Sequence, residues 1–407
     1  MVFVCYDGSM ASLSYRTAGE SHGKALISLV EGMPAGVPLD VEFINNELRR
    51  RQGGYGRGGR QKIETDTVEF LTGVRIGRTI ASPITMLISN RDYRLDDPTA
   101  TPPLHRPRPG HADLPGSIKW LTTDCRETLE RASARETAAR VAAGALARCL
   151  LAQFGIKVFG FVRAVGTVTA RIDSLDRTSA PLTFEALAQL EQARDHSDVY
   201  CPDEAASEGF REFITQMKQA KDTAGGIVET CVVGCPIGLG SCMTWDSRLD
   251  SRIAAAVMAI QAFKGVEIGL GFDCAKLPGS QVHDEIAYDA AQAGAPSLGF
   301  TRKTNNAGGL EGGMTNGQPV IVRGAMKPIS TLGKPLASVD LNTKQPSEAG
   351  WERSDVSAIA AASVIMENVI AFEIARSMVE KFGGDSLSEM KQNYDLFLAM
   401  ARKLPLT

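Results

Sequence analysis

The 407-residue chain carries 44 Lys and Arg against 47 Asp and Glu, a formal net charge of −3, with 43% hydrophobic residues. This is ordinary globular usage, and it excludes both a chain disordered by low hydrophobicity and the strongly basic surface of a general nucleic-acid binder. No uninterrupted apolar run approaches the roughly 18 to 20 residues that a bilayer span needs.

The first twelve residues, MVFVCYDGSMAS, lack the basic-then-apolar pattern of a targeting peptide. They read as an N-terminal extension ahead of one large domain over 13–407, because no later stretch has the composition of a flexible linker. The eight cysteines are scattered without regular spacing, which points to a reduced, cytoplasmic setting. Cys231, Cys235 and Cys242 come closest together, but with no nearby histidine they read as structural thiols rather than zinc ligands.

Gly19 to Lys24, in TAGESHGKA, resembles a phosphate-binding loop and fails as one. One intervening residue is missing, and Ala25 stands where the metal-binding Ser or Thr belongs. His22 in this stretch is either a satisfied turn histidine or an acid–base group active near neutral pH. Next comes RRRQGGYGRGGR (49–60), which at first sight is an RNA-binding arm. The neutral chain around it favours an ordered loop whose arginines hold a small, multiply charged ligand.

Strand-like stretches follow at 68–76 and 84–89. The segment RPRPGHADLPG then sets His111 among glycines behind Arg106 and Arg108, with the same two readings as His22. Residues 133–154 read as a helix that stops at Gly155. If the helix includes RASARET, Arg131 and Arg135 share a face, and Ser133 lies where backbone N–H groups favour anions. A salt-bridged surface turn with Glu130 and Glu136 is the equal alternative.

Further helices are expected near 184–194, 204–220, 250–263, 356–381 and 386–403, and strands at 157–170, 226–233 and 318–323. No G-x-G-x-x-G dinucleotide loop or nucleophile elbow occurs. Ahead of the helix near 356, Asp355 is either an N-cap or a carboxylate held in a dry site. Strands and helices do not alternate one for one, which argues for an α+β fold with antiparallel sheets.

TAGESHG, EGMPAGVPLD, RRRQGGYGRGGR, RPRPGHADLPG, RASARETAARVAAGA, LDSRIAAAVMAIQAFKGVEIGLGF, NNAGGLEGGMTNG, VDLNTK and ERSDVSA together, in this order, resemble chorismate synthase. The likeness covers nearly the whole chain and is loose only in the first dozen residues and in parts of 171–222. It implies a β-α-β sandwich with helices between antiparallel sheets, and a homotetramer. It also implies conversion of 5-enolpyruvylshikimate 3-phosphate to chorismate and phosphate by anti-1,4 elimination with reduced FMN. Some members of that family reduce the flavin themselves with NAD(P)H and others depend on outside reductant; the lack of a dinucleotide loop favours the latter here, with NADPH as an indirect reductant through an external flavin reductase.

By the same resemblance, Arg51, Arg57, Arg108 and Arg135 would grip the substrate. Arg131, Ala132, Ser133, Gln261, Ala262, Gly312, the segment Lys327, Pro328, Ile329, Ser330 and Thr331, and Arg353 would line the flavin. His22 would be the acid beside the departing phosphate, His111 the proton partner of the flavin near N1, and Asp355 the carboxylate that helps N5 take up the substrate proton. No metal, nucleic acid or membrane is implied.

Overall fold

The computed structural model describes residues 12–58, 65–172, 175, 182–350, 352 and 355–405. Two antiparallel sheets enclose a layer of helices. The first sheet contains β1 (Ser14–Ala18), β2 (Ala25–Glu31), β3 (Glu69–Phe70) and β4 (Ile84–Ser89), in spatial order β1-β2-β4-β3. In β2 and β4 every second side chain is buried, as expected where one face meets the core and the other meets solvent.

The second sheet holds β5 (Lys157–Val165), β6 (Val168–Thr169), β7 (Gly226–Val233), β8 (Phe263–Ile268) and β9 (Val320–Met326), in order β8-β9-β7-β5-β6. Strand β5 is buried from Val158 onward. Its sheet is covered on both faces, and Phe159 and Phe161 join a small cluster with Leu182 and Leu187.

Between the sheets lie α1 (Val41–Gln52), α4 (Thr137–Ala152) and the long α8 (Ile359–Phe382). Helix α4 packs on the first sheet, α8 on the second, and the two helices pack on each other. A Cβ at Gly144 would lie 2.2 Å from the Asn368 carbonyl oxygen, so the absence of a side chain is what lets α4 and α8 cross this closely. Helix α8 is apolar on nearly all sides, as a helix enclosed between layers must be.

The remaining helices of seven or more residues, among the described residues, are α2 (Asp113–Trp120), α3 (Arg126–Ala132), α5 (Phe184–His196), α6 (Glu204–Gln219), α7 (Leu249–Met258) and α9 (Leu387–Ala401). One buried cluster runs from Leu13 to Met390. Among the described residues no helix is long and apolar enough to cross a membrane.

The expected helix over 133–154 is broken. Ser133 adopts an extended conformation (φ −61°, ψ 140°) between α3 and a short 3-10 turn, Ala134–Glu136, that leads into α4. Arg131 and Arg135 therefore do not share a helix face. The helix expected to reach 263 stops at Met258, and Ala262 (φ +69°) turns the chain into β8.

Helix α1 went unread in the sequence, although Asp40 caps it by accepting from the Phe43 N–H at 2.8 Å. Arg49, Arg50 and Arg51 form its last turn rather than part of a loop. Cys231 and Cys235 are buried, and burial pushes the Cys235 thiol up to about 12, while Cys242 is exposed. Among the described residues no group of three or more His, Cys, Asp or Glu is arranged to hold a metal.

Candidate active site

The N-terminal end of α8, the α3–α4 joint, the end of α1 and the segments around 108–112, 260–262 and 326–331 meet around one cavity of about 490 Å³. Ala361, Ala362 and Ile365 of α8 provide an apolar wall. Arg51, Arg57, Arg108 and Arg135 line the cavity, as do His22, His111 and Asp355. Residues spread from 22 to 355 along the chain are thus gathered in one place.

Arg51 and Arg135 are both buried and share one carboxylate, that of the fully buried Asp66. Arg135 reaches Asp66 Oδ2 at 2.6 Å and Asn90 Oδ1 at 2.9 Å, while Arg51 lies 3.6 Å from the same Asp66 oxygen. Arg51 also donates to Thr137 Oγ1 at 2.9 Å and to the Ala134 carbonyl at 2.8 Å, across the broken helix. Burial, together with the neighbouring charges of Arg135 and Arg57, pushes the Arg51 guanidinium down to about 9, against the pull of Asp66. So much positive charge with so little compensation favours an anionic ligand.

Arg57 leaves α1 on the glycine-rich loop. Gly54 (φ +105°) and Gly56 (φ +87°) use conformations that favour glycine, and a Cβ on Gly54 would meet the Ala360 Cβ at 2.5 Å. The loop thereby lies directly against the start of α8. The Gly56 carbonyl accepts from the Val356 N–H at 2.9 Å. Arg57 pairs with Asp355 at 2.8 Å, and the Gly58 N–H donates to the other Asp355 oxygen at 2.5 Å. Asp355 is therefore not the cap of α8, whose N-cap position is Ala358.

The two histidines each have a carboxylate partner. His22 Nδ1 lies 2.9 and 3.0 Å from the two oxygens of Glu130, which also accepts the His22 backbone N–H at 2.9 Å. Its Nε2 lies 3.1 Å from Arg94 and 3.7 Å from Asp92. His111 Nδ1 contacts Asp113, and Arg108 binds the same carboxylate through Nε at 2.8 Å and Nη2 at 3.0 Å. Arg108 also donates to Thr331 Oγ1 at 3.0 Å. Burial alone would raise the Asp113 carboxyl, but His111 and Arg108 hold it well below the usual carboxylate range. Glu130 is likewise lowered, burial being outweighed chiefly by His22.

The chorismate synthase family model matches residues 13–379. Chorismate synthases of Desulforamulus reducens and Geobacter sulfurreducens are each 52% identical to the chain, over 96% of it and over 100% and 99% of their own lengths. A crystal structure of chorismate synthase superposes with a TM-score of 0.77 at 40% identity, covering 97% of this chain and 100% of that one. The chain belongs to the chorismate synthase family.

The residues that this family would use for its flavin are brought together in part. Ala132, Ser133, Gln261, Ala262, Lys327, Ile329, Ser330 and Thr331 line the same cavity. Pro328 lies between two lining residues without lining it. Arg131 reaches away to the carbonyls of Thr17 and Gly19, at 3.2 and 3.3 Å, because the break at Ser133 turns it toward β1. Gly312 (φ +59°) sits in a separate hairpin, with Cys242 Cβ its nearest neighbour at 3.9 Å from a built Cβ. Arg353 lies outside the described residues.

The carboxylates that pair with these cationic groups, Asp66, Asp113 and Glu130, were not singled out as site residues from the sequence, and neither was Glu352, which lines the cavity. Asp113 stands two residues after His111, and that proximity was the available signal. Asp66 and Glu130 meet their partners only through the fold.

Proposed function

We infer that this protein forms chorismate in the cavity described above, by eliminating phosphate and a proton from 5-enolpyruvylshikimate 3-phosphate with reduced FMN bound beside the substrate. The observation that carries the reading is the convergence of four arginines, two carboxylate-paired histidines and Asp355 on one cavity.

The cavity suits a flavin in several respects. Gln261 donates Nε2 to Glu136 at 3.1 Å, and its buried Oε1 has no hydrogen-bond partner among the described residues. That oxygen can accept from a ring imide N–H. Ile260, Met326, Ala361 and Ile365 offer an apolar surface for a flat ring system. Burial and the nearby Lys264 lower the Lys327 ammonium, so an anion beside it would be favourable. Ala132, Ser133, Gln261, Ala262 and the segment 327–331 would hold the cofactor, with Arg353 added by family likeness. Reduced flavin, when bound, supplies electron density transiently to ease phosphate departure, leaving the overall reaction redox-neutral.

The chain's own groups have separate tasks. Arg51, Arg57, Arg108 and Arg135 bind the two carboxylates and the phosphate of the substrate, for which planar, permanently charged guanidinium groups are suited. His22 delivers a proton to the departing phosphate. His111 carries a proton on the nitrogen not committed to Asp113. Asp355, oriented by Arg57 and the Gly58 N–H, assists the departure of the substrate proton. The family likeness further supports a cytoplasmic homotetramer, and the lack of a dinucleotide loop in the sequence favours reduced flavin supplied from outside, NADPH acting through another enzyme.

Anaerobic incubation with chemically reduced FMN and the enolpyruvyl substrate, followed by absorbance, is expected to yield chorismate. Folded protein that produced none would overturn the reading. Turnover in air with NADPH and FMN alone would overturn the external supply of reductant.

A further inference from the structure

The proton chemistry assigned to His22 requires one particular ring nitrogen to face the reaction, and two neighbours select it. Glu130 is almost fully buried and holds its carboxylate against His22 Nδ1 at 2.9 Å. An ionised carboxylate can only accept, so Nδ1 must carry a hydrogen. On the other side, Arg94 Nη2 lies 3.1 Å from Nε2. A guanidinium can only donate, so Nε2 presents its lone pair to it. Both contacts demand the same tautomer.

Glu130 also fixes the ring in place. It accepts the His22 backbone N–H at 2.9 Å, and its own carbonyl accepts the Ser21 N–H at 3.0 Å. Helix α3 thus clamps the 21–22 turn through both backbone and side chain. Behind Glu130, Arg126 lies 3.7 Å from its carboxylate and 2.9 Å from Glu352, which lines the cavity. The charged groups that face His22 are Glu130, Arg94 and Asp92, the last 3.7 Å from Nε2.

We propose that Glu130 is the positioning residue of the reaction: it holds the hydrogen on His22 Nδ1, stabilises the ring when protonated, and leaves Nε2 as the nitrogen that takes up a proton from solvent and passes it to the departing phosphate. Arg94 lies over that nitrogen. Its side chain is partly exposed and can follow an anion away from the ring. This inference rests on the role given to His22 above.

The test compares Glu130→Gln with His22→Ala in the holoenzyme with reduced FMN. Glu130→Gln is expected to lower kcat by about 10²-fold or more, the usual scale for a compromised proton-transfer group, while KM changes less than about 3-fold. Near-normal kcat in Glu130→Gln, alongside an inactive His22→Ala, overturns the proposal and leaves the function reading intact. Near-normal turnover in His22→Ala overturns the role of His22 itself. A third measurement needs no variant to fold: in protein labelled with ¹⁵N-histidine, the neutral His22 ring is expected in the Nδ1–H form. The Nε2–H form would overturn the proposal.

Discussion

Arg50 and Arg51 are neighbours on the last turn of α1 and have opposite surroundings. Arg50 turns into the helix layer, where it meets Glu47 at 2.6 Å and Glu367 at 3.0 Å. Arg148 completes this group, 2.8 Å from Glu47 and 3.0 Å from Glu367. Two carboxylates more than compensate for burial and raise the Arg50 guanidinium above its ordinary value. Arg51 turns the other way, to the cavity, where it shares the carboxylate of Asp66 with Arg135 and is lowered to about 9, chiefly by burial. The same residue type on one helical turn is thus a neutralised structural group in one direction and a poised anion receptor in the other. What separates them is the local supply of negative charge, and that is a property of the fold.

The comparison can be broken most severely at Arg50. Arg50→Met leaves two buried carboxylates short of a partner, and the expected loss of stability is about 3 to 5 kcal/mol, read by denaturant unfolding. Activity per folded molecule should stay within a few-fold. Arg51→Met should do the reverse. Losing a charge-assisted contact to substrate is expected to lower kcat/KM by about 10²-fold or more, with a melting temperature within a few degrees of the parent. If the two variants have the same signature, the distinction fails.

Acid should weaken the structural side too. Burial would raise Glu47, but Arg148, Arg50 and Asn368 outweigh it and hold the carboxyl at about 2, below the ordinary 4.5. Because the folded value is depressed, its stabilisation is present above pH 4.5 and is lost as pH falls toward 2. Arg50→Met should shift that acid transition to higher pH. The smallest expected effect is on the ligand side. Millimolar inorganic phosphate should raise the melting temperature by about a few degrees through binding to the native state alone, and Arg51→Met should remove the increase.

The sequence already contained many of the residues that meet at the cavity. His22, His111, Asp355 and the arginine-rich stretch 49–60 stand out because chemistry-bearing side chains lie among glycines, or just ahead of an apolar helix, whereas the choice of Arg51, Arg57, Arg108 and Arg135 rests on the family resemblance. Most core elements were readable for a related reason: β4, β7 and α8 have periodicity or apolarity set by their own burial. Helix α1 was hidden because three consecutive arginines before a glycine cluster read as loop. The face that Arg131 and Arg135 would share in an unbroken helix does not form, because Ser133 is extended, with its hydroxyl bonded to Ser21 at 3.1 Å. Asp66 and Glu130 left no local trace. Each acts on a partner far along the chain, and no periodicity records that pairing.

The seam between Gly54–Gly58 and the start of α8 also bears on the order of assembly. Val356 hydrogen-bonds to Gly56, Asp355 closes on Arg57 and Gly58, and Ala361, Ala362 and Ile365 form the facing wall. These partners lie some three hundred positions apart, so a growing chain has no complete cavity until its last long helix has been made and has docked. The arginines are synthesised early, but the place where they act is finished near the end.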